Sequence, residues 1–306
     1  MNDKKYAVID LGTNTFHLLI AQPGQSTPIR EVYRERQFVQ LAEDGISTIG
    51  EAPYNRALNT LRHFRAMLDQ YGVPVEQVKA FGTAALRTAS NGSELIAAAR
   101  METGIAIQTI SGDEEARLIH KGVQLAVPDP EERMLIMDIG GGSVEFIIAE
   151  RGQVRWAQSF PIGVAVLYRD FHHTEPVSPE EERQLRAFLG SQLRPLQEKL
   201  SQYPTPFLVG ASGTFDVLEQ YVGKRPEKGF CSKIQRPVFA PFFQKVTGMT
   251  LEERYALPGI PDARAAMLSV ALILVDEVLK MANTEQIIVS AFAMKEGMLS
   301  ELMQDR

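Results

Sequence analysis

An acid followed by a glycine-rich turn, placed between two apolar runs, occurs twice in this chain. The first copy, at 9–21, reads IDLGTNTFHLLIA, and the second, at 137–149, reads MDIGGGSVEFIIA. The copies align without a gap, and their acids, Asp10 and Asp138, are 128 residues apart in a chain of 306. Each copy predicts a strand, a tight turn and a returning strand. Strands alternating with helices follow both copies, which predicts two α/β domains with mixed sheets flanked by helices.

The glycine turns predict phosphate binding. Backbone N–H groups and a nearby hydroxyl can hold phosphate oxygens, and an aspartate can hold Mg²⁺ that the phosphates also bind. One such turn is also ordinary hairpin chemistry. Two matched turns and a third glycine loop at 210–214 favour the phosphate interpretation, with Asp10 and Asp138 as candidate metal ligands. The predicted phosphate-binding residues are Gly12, Thr13, Asn14, Thr15, Gly140, Gly141, Gly142, Ser143, Gly210, Ser212, Gly213 and Thr214.

Composition restricts the partners and the compartment. A net charge of −6 makes a large nonspecific nucleic-acid surface improbable, so we expect no nucleic-acid partner. The single cysteine, Cys231, excludes intramolecular disulfides and a cysteine-based zinc site. No apolar stretch is long enough to span a bilayer, and the polar first five residues do not resemble a signal peptide. We expect a cytoplasmic protein without a membrane partner.

Several segments carry specific structural predictions. Residues 75–81 are predicted as a strand, and 179–200 as one helix that begins with a capping box of Ser178 and Glu181. Residues 221–242 are predicted as an irregular loop over the cleft, and Pro128-Asp129-Pro130 as the linker between the halves. A helix at 53–69 has one basic side, interpreted either as a solvated face or as a guide for phosphate. Its basic residues are Arg56, Arg62, His63 and Arg65.

Three consecutive acids begin the helix after residue 111. Ser111 and Glu114 fit a capping box, and all three acids suit the positive end of a helix. This structural interpretation accounts for Asp113 and Glu114 and leaves Glu115 without a structural role. Glu145, in the second returning strand, either shares a face with Ser143 or points into the mouth of the cleft. The structural alternative is that it faces solvent. His17 occupies the equivalent position of the first copy, so the two turns are expected to differ chemically.

The chain resembles the exopolyphosphatase / guanosine pentaphosphate phosphohydrolase (Ppx/GppA) family, within the superfamily of actin-like ATPases and sugar kinases. The resemblance covers nearly the whole chain. It rests on five separated motifs, which occur in the family's order, and on Glu296-Gly297. The motifs lie at 10–15, 82–87, 110–117, 138–145 and 210–214. Three departures are visible. Thr13 and Thr15 stand where serines are commoner, and the segment 264–266 has alanine where the family often has aspartate. The chain also resembles the short, two-domain form of the family, which is expected to be without the C-terminal helical extension of the long members.

The resemblance implies a fold and a set of roles. It implies two actin-like (ribonuclease H-like) domains, 1–127 with about 290–306 and 128–289, with the active site in the cleft between them. Glu115 matches the base that activates the attacking water. Asp138 and Glu145 match residues that hold metal and position that water, which makes Glu145 a candidate in both roles. Arg87 matches a phosphate-contacting arginine.

The predicted function is Mg²⁺-dependent hydrolysis of the terminal phosphate of inorganic polyphosphate. The nearest alternative is the same chemistry on guanosine pentaphosphate, as in the stringent response. A nucleotide-binding conformational protein of the actin-like kind and a weakly catalytic polyphosphate sensor also remain open. We expect a homodimer.

Overall fold

The computed structural model describes residues 4–24, 27–127, 132–227 and 229–304. The chain divides into two compact units. Unit 1 comprises Met1–Leu125 and Ala293–Arg306, and unit 2 comprises Ala126–Phe292. The linker predicted at Pro128-Asp129-Pro130 lies outside the described residues.

Unit 1 contains a mixed five-stranded sheet in the order β3-β2-β1-β4-β5. The first three strands form an antiparallel meander, and β4 and β5 continue the sheet in parallel beside β1. A 3₁₀ turn at Val75–Gln77, after Pro74, occupies the start of the strand predicted at 75–81. The strands are β1 (Tyr6–Leu11), β2 (Thr15–Pro23), β3 (Ile29–Phe38), β4 (Val78–Gly82) and β5 (Ile107–Thr109).

The described residues of unit 1 also form five helices. They are α1 (Glu51–Gln70), α2 (Ala84–Thr88), α3 (Gly92–Thr103), α4 (Gly112–Ala126) and α12 (Met294–Gln304). Of these, α1, α2 and α12 contact the sheet. One sheet face shares an apolar core with α1 and α3, because β1 and β2 alternate and place every second side chain on that face. The four basic residues of α1 each pair with an acid of unit 1, as expected for a solvated face. The pairs are Arg56–Glu43, Arg62–Glu102, His63–Glu35 and Arg65–Asp69.

Unit 2 repeats the sheet of unit 1 strand by strand. Its order is β8-β7-β6-β9-β11-β10, with the same pattern of antiparallel and parallel neighbours and one added antiparallel edge strand, β10. The predicted α/β class with two mixed sheets flanked by helices is therefore confirmed. The strands are β6 (Met134–Ile139), β7 (Val144–Glu150), β8 (Gln153–Phe160), β9 (Leu208–Ala211), β10 (Cys231–Gln235) and β11 (Gln286–Ser290).

The helices of unit 2 surround one long apolar helix, α11. It is buried along most of its length and packs on α5 to α10. No helix in the described ranges combines the length and the apolar character needed to cross a membrane. The helices are α5 (Val164–Phe171), α6 (Pro179–Gln192), α7 (Arg194–Gln202), α8 (Gly213–Val222), α9 (Arg236–Thr247), α10 (Leu251–Tyr255) and α11 (Asp262–Ala282).

Two element predictions were wrong in unit 2. The helix predicted at 179–200 is two helices, because Pro195 has no N–H to continue the hydrogen-bond ladder of α6 and instead lies in the first turn of α7. The loop predicted at 221–242 contains β10 and the first turns of α9. Because α9 contains Pro237 and Pro241, and β10 is a short edge strand, neither element has a strong sequence pattern.

The capping box predicted at the start of α6 is present and is extended by the preceding loop. The Glu181 carboxylate accepts hydrogen bonds from the backbone N–H groups of His173 (2.7 Å), Thr174 (3.0 Å) and Ser178 (2.9 Å). Although burial opposes ionisation, hydrogen bonds from Thr174, Ser178 and His173 outweigh it and lower the pKa of Glu181 to about 2. The charged carboxylate therefore joins the 173–178 loop to α6.

We expect Glu181→Gln to lower the free energy of unfolding at pH 7 by about 2 kcal/mol, since it removes the charged acceptor of several hydrogen bonds. A lowered pKa contributes stability that is present above the unfolded pKa, near 4.5, and is lost as the pH falls toward 2. The difference from wild type should therefore shrink between pH 5 and pH 2 in urea unfolding. Glu180→Gln, one residue away on the exposed face, is the control and should change stability by less than about 0.5 kcal/mol. A deficit for Glu181→Gln that does not depend on pH would contradict the charge argument.

Candidate active site

The two glycine turns have the same backbone geometry. In unit 1 the Gly12 N–H donates to the Thr15 carbonyl at 3.0 Å, and in unit 2 the Gly140 N–H donates to the Ser143 carbonyl at 2.9 Å. A Cβ added at Gly12 would lie 3.0 Å from that carbonyl oxygen, and one at Gly140 would lie 2.9 Å from its counterpart. Only glycine fits without a shift of the turn. The internal repeat found in the sequence is thus a repeat of structure.

A row of three polar side chains crosses the unit 2 sheet beside its glycine turn. Asp138 on β6 is the direct cross-strand partner of Glu145 on β7, and Glu145 is the partner of Ser159 on β8. Direct partners share one face of the sheet with Cβ atoms about 5 Å apart. Ser159 Oγ donates a hydrogen bond of 2.7 Å to Glu145 Oε1. Asp138 is only 7% exposed and Glu145 2%, so the alternative of a solvent-facing Glu145 is wrong.

The corresponding row in unit 1 carries a different balance of charge. Asp10 is the partner of His17, and His17 is the partner of Arg36. His17 Nε2 lies 3.1 Å from the hydroxyl of Thr15, at the end of the turn. One acid therefore shares its row with two side chains that can be cationic, whereas unit 2 places two acids in one row. This difference in charge supports the expected chemical difference between the turns, which stays a prediction.

The Asp138–Glu145 pair suits a hard divalent cation. Two buried carboxylates this close repel one another, and a cation between them would relieve the repulsion. Mg²⁺ takes oxygen ligands and is commonly held by one or two carboxylates, with substrate phosphates completing its coordination. In the described ranges, no cluster of three or more histidine, cysteine, aspartate or glutamate side chains could hold a metal. A site in which the two carboxylates and the phosphates of a substrate supply the oxygen ligands agrees with this preference of Mg²⁺.

The third glycine loop joins β9 to α8. Ser212 has φ 70° and ψ −175°, a conformation that is costly for a residue other than glycine and that is found mainly at functional sites. Gly213 begins α8, and the side chain of Thr214 is buried there. Gly210 has no room for a side chain, because an added Cβ would lie 2.0 Å from the ring of Phe215. The loop is thus fixed by packing on one side and held in a strained backbone at Ser212.

Arg264 supplies a cation to this loop that the sequence did not identify. A Cβ at Gly213 would lie 2.5 Å from Arg264 Nη2, so the guanidinium packs directly over the first residue of α8. Arg264 Nη1 also lies 3.6 Å from Asp216 Oδ2. In the sequence, Arg264 belongs to the 264–266 segment, where alanine stands in place of the more common aspartate. That departure left the role of the helix open, so Arg264 was not predicted as a site residue.

Glu115 and Arg87 lie together in unit 1. Glu115 is buried in the first turn of α4, and Arg87, near the end of α2, places Nη1 3.8 Å from Glu115 Oε2. The same Nη1 donates a hydrogen bond of 2.5 Å to the carbonyl of Ile110, just before α4. Two residues that are 28 positions apart in sequence are thus held side by side.

Glu114 is occupied by contacts within unit 1. Its N–H donates to Ser111 Oγ at 3.2 Å, which is one half of the predicted capping box. Its carboxylate pairs with Arg117 at 2.8 Å and so does not complete the box. The hydrogen bond from Arg117 lowers the pKa of Glu114. The sequence assigned Glu114 to the start of the helix and left Glu115 without a structural role, and these contacts of Glu114 agree with that assignment.

Comparisons with known proteins agree on one family. Residues 19–306 match the Ppx/GppA phosphatase family. An exopolyphosphatase from Cytophaga hutchinsonii is 36% identical, and the match covers 98% of each chain with a TM-score of 0.92. A Ppx/GppA family member from Aquifex aeolicus, 23% identical with 99% of each chain covered and a TM-score of 0.80, shares the fold.

Proposed function

Because this chain belongs to the Ppx/GppA phosphatase family and is a phosphoanhydride hydrolase, we propose that it removes the terminal phosphate of inorganic polyphosphate. The observation that carries the proposal is the buried pair of carboxylates, Asp138 and Glu145, beside a turn of three glycines. Such a turn offers backbone N–H groups to phosphate, and the carboxylates suit Mg²⁺. The name of the relative from Cytophaga hutchinsonii supports polyphosphate as the substrate.

Glu115 is the proposed general base. Its carboxylate would take a proton from water as the water oxygen attacks the terminal phosphorus and the bond to the bridging oxygen breaks. The proton then passes to the leaving chain. Arg87, held 3.8 Å from Glu115, would bind oxygens of the same phosphoryl group and keep the water and the phosphorus in line. Burial of Glu115 keeps bulk water from competing for its carboxylate.

The glycine turns and the third loop are the proposed binding surface for the phosphates. Backbone N–H groups at 141–143 and 212–214 would bind phosphate oxygens, while the Gly140 N–H already donates to the Ser143 carbonyl and closes the turn. Arg264 adds a positive charge beside Gly213. Mg²⁺ held by Asp138 and Glu145 would neutralise charge on the phosphates. Asp10 stays a candidate ligand, although its row already contains His17 and Arg36. The cytoplasmic location, the homodimer and the cleft between the units stay predictions.

A side-by-side assay of phosphate release tests the substrate. With Mg²⁺ present, we expect kcat/KM to be highest on long-chain polyphosphate, lower on tripolyphosphate and guanosine pentaphosphate, and lowest on ATP. The reason is that unit 2 alone has two proposed phosphate-binding segments, at 140–143 and 210–214, and two such segments would favour a ligand with successive phosphates. The control is Glu115→Gln protein purified in the same way, which measures contaminating phosphatase. A preference for guanosine pentaphosphate would establish the rival substrate, and hydrolysis of ATP alone would favour a nucleotide-driven conformational protein.

A further inference from the structure

One arginine of unit 2 is fully buried. Arg254, in the short helix α10, has no exposed surface. Its guanidinium donates hydrogen bonds to the carbonyls of Ala265 (3.0 Å) and Met249 (2.8 Å) and to the Glu175 carboxylate (2.9 Å). A weaker contact of 3.4 Å reaches the carbonyl of Ala266. Burying a charge is costly unless it is paired and hydrogen-bonded, and the planar fork of arginine meets both conditions here.

Two of these acceptors belong to the first turn of α11. Ala265 and Ala266 directly follow Arg264, so the guanidinium of Arg254 fixes the backbone from which the Arg264 side chain projects. Both alanines belong to the 264–266 segment. Arg254 binds their backbone carbonyls, which a change of side chain leaves in place.

The chain before α11 is also tied to α8. The side chains of Gln220 and Tyr221, near the end of α8, both donate to the carbonyl of Pro258 at 2.8 Å. At the other end of α8, the guanidinium of Arg264 covers Gly213. The position of α11 relative to the third glycine loop is thus set by a few polar contacts in addition to apolar packing, and Arg254 makes the most deeply buried of them.

We propose that Arg254 is a positioning residue for substrate binding: it fixes the first turn of α11 so that Arg264 lies at the 210–214 loop and contacts a substrate phosphate. This inference rests on the proposed function, because it requires a phosphate at that loop. Arg254 itself, being fully buried, acts only through Arg264. The competing interpretation gives Arg254 a purely stabilising role in the core of unit 2.

A double-mutant cycle distinguishes the two interpretations. The assay uses whichever of the four substrates named above wild type hydrolyses fastest. We expect Arg264→Ala to lower kcat/KM on it by about 10–100-fold, mainly by raising KM, because a charge-assisted contact with phosphate is lost. We expect Arg254→Met to lower it by about tenfold, the scale of a small displacement of a binding group. In the double variant the second change should add less than about twofold, since both act through one contact. Losses that multiply independently would overturn the proposal.

Two further variants separate positioning from charge and from general stability. Arg254→Lys keeps the positive charge beside Glu175, but its single ammonium group cannot bind the carbonyls of Met249 and Ala265 together. It should therefore resemble Arg254→Met in the double-mutant cycle. If Arg254→Lys behaves like wild type, charge alone suffices and the proposal is wrong. Arg186→Met is the matched control, because Arg186 pairs with Asp276 and Glu277 in the second half of the same helix. It should lower stability without coupling to Arg264→Ala, and coupling of equal size would overturn the proposal.

Hydrogen exchange provides a readout that does not depend on the substrate. In Arg254→Met and Arg254→Lys, the amides of 263–268 should exchange at least about tenfold faster than in wild type, while those at the end of α11 stay unchanged. Unchanged exchange at 263–268 would overturn the positioning role whatever the substrate is. Failure of wild type to hydrolyse any polyphosphate, with faster exchange in the variants, would instead refute the proposed function and leave the role of Arg254 in fixing α11 intact.

Discussion

We expect Glu115→Gln to lower kcat by about 10²–10⁴-fold, the range for removing a general base. The substitution keeps the size of the side chain and an oxygen that can face Arg87, so the fold of unit 1 should be retained. Phosphate release under single-turnover conditions measures the loss, and thermal unfolding checks the fold. KM should change by less than about threefold, because the base acts in the transition state rather than in substrate binding.

Glu114→Gln is the matched control for this prediction. It changes the same residue type one position earlier in α4, but its carboxylate faces Arg117 and therefore supports the helix. Its loss should cost at most about 0.5 kcal/mol of stability, as for an exposed ion pair within a helix, and leave kcat within about twofold of wild type. A larger loss of activity for Glu114→Gln than for Glu115→Gln would reverse the assignment of the base and the helix acid.

Local sequence patterns predicted the elements that contain the glycine turns. Each hairpin has two apolar runs and a turn in one short segment, so its geometry is fixed by neighbours in sequence. Strand β8 likewise begins directly after a tight turn at Arg151-Gly152, where both residues have positive φ. A break between two consecutive helices is harder to predict from the sequence. Helix α6 ends at Gln192 and α7 begins at Arg194, and the capping box at Ser178 marks only the start of the first helix, so the sequence predicted a single one.

The parts of the site that the sequence did not predict depend on tertiary contacts. Ser159 becomes the partner of Glu145 only through the register of β7 and β8. Arg264 reaches Gly213 only because α11 packs against the start of α8, and no local pattern reports that contact. Glu145 is a polar residue between apolar neighbours, and its burial follows from the row of polar side chains around it. Its depth in the sheet could not be derived from one strand.

The two acids that precede the glycine turns should differ in metal dependence. We expect Asp138→Asn to raise the Mg²⁺ concentration for half-maximal activity by tenfold or more, since even changes outside a metal's ligands commonly cost about 10–100-fold. Asp10→Asn should raise it by less than about threefold, because His17 and Arg36 already supply potential positive charge in that row. Mg²⁺ titrations of phosphate release, with wild type measured in parallel, compare the two directly.

A measurement without substrate separates metal binding from catalysis. Mg²⁺ should raise the unfolding temperature of wild type and of Asp10→Asn, and this shift should be smaller in Asp138→Asn, because a ligand that binds the native state stabilises it. Equal shifts in Mg²⁺ dependence for the two variants would mean that both turns take part equally in holding the ion. The difference in charge between the rows would then have another function, and Asp10 would rank with Asp138 as a ligand.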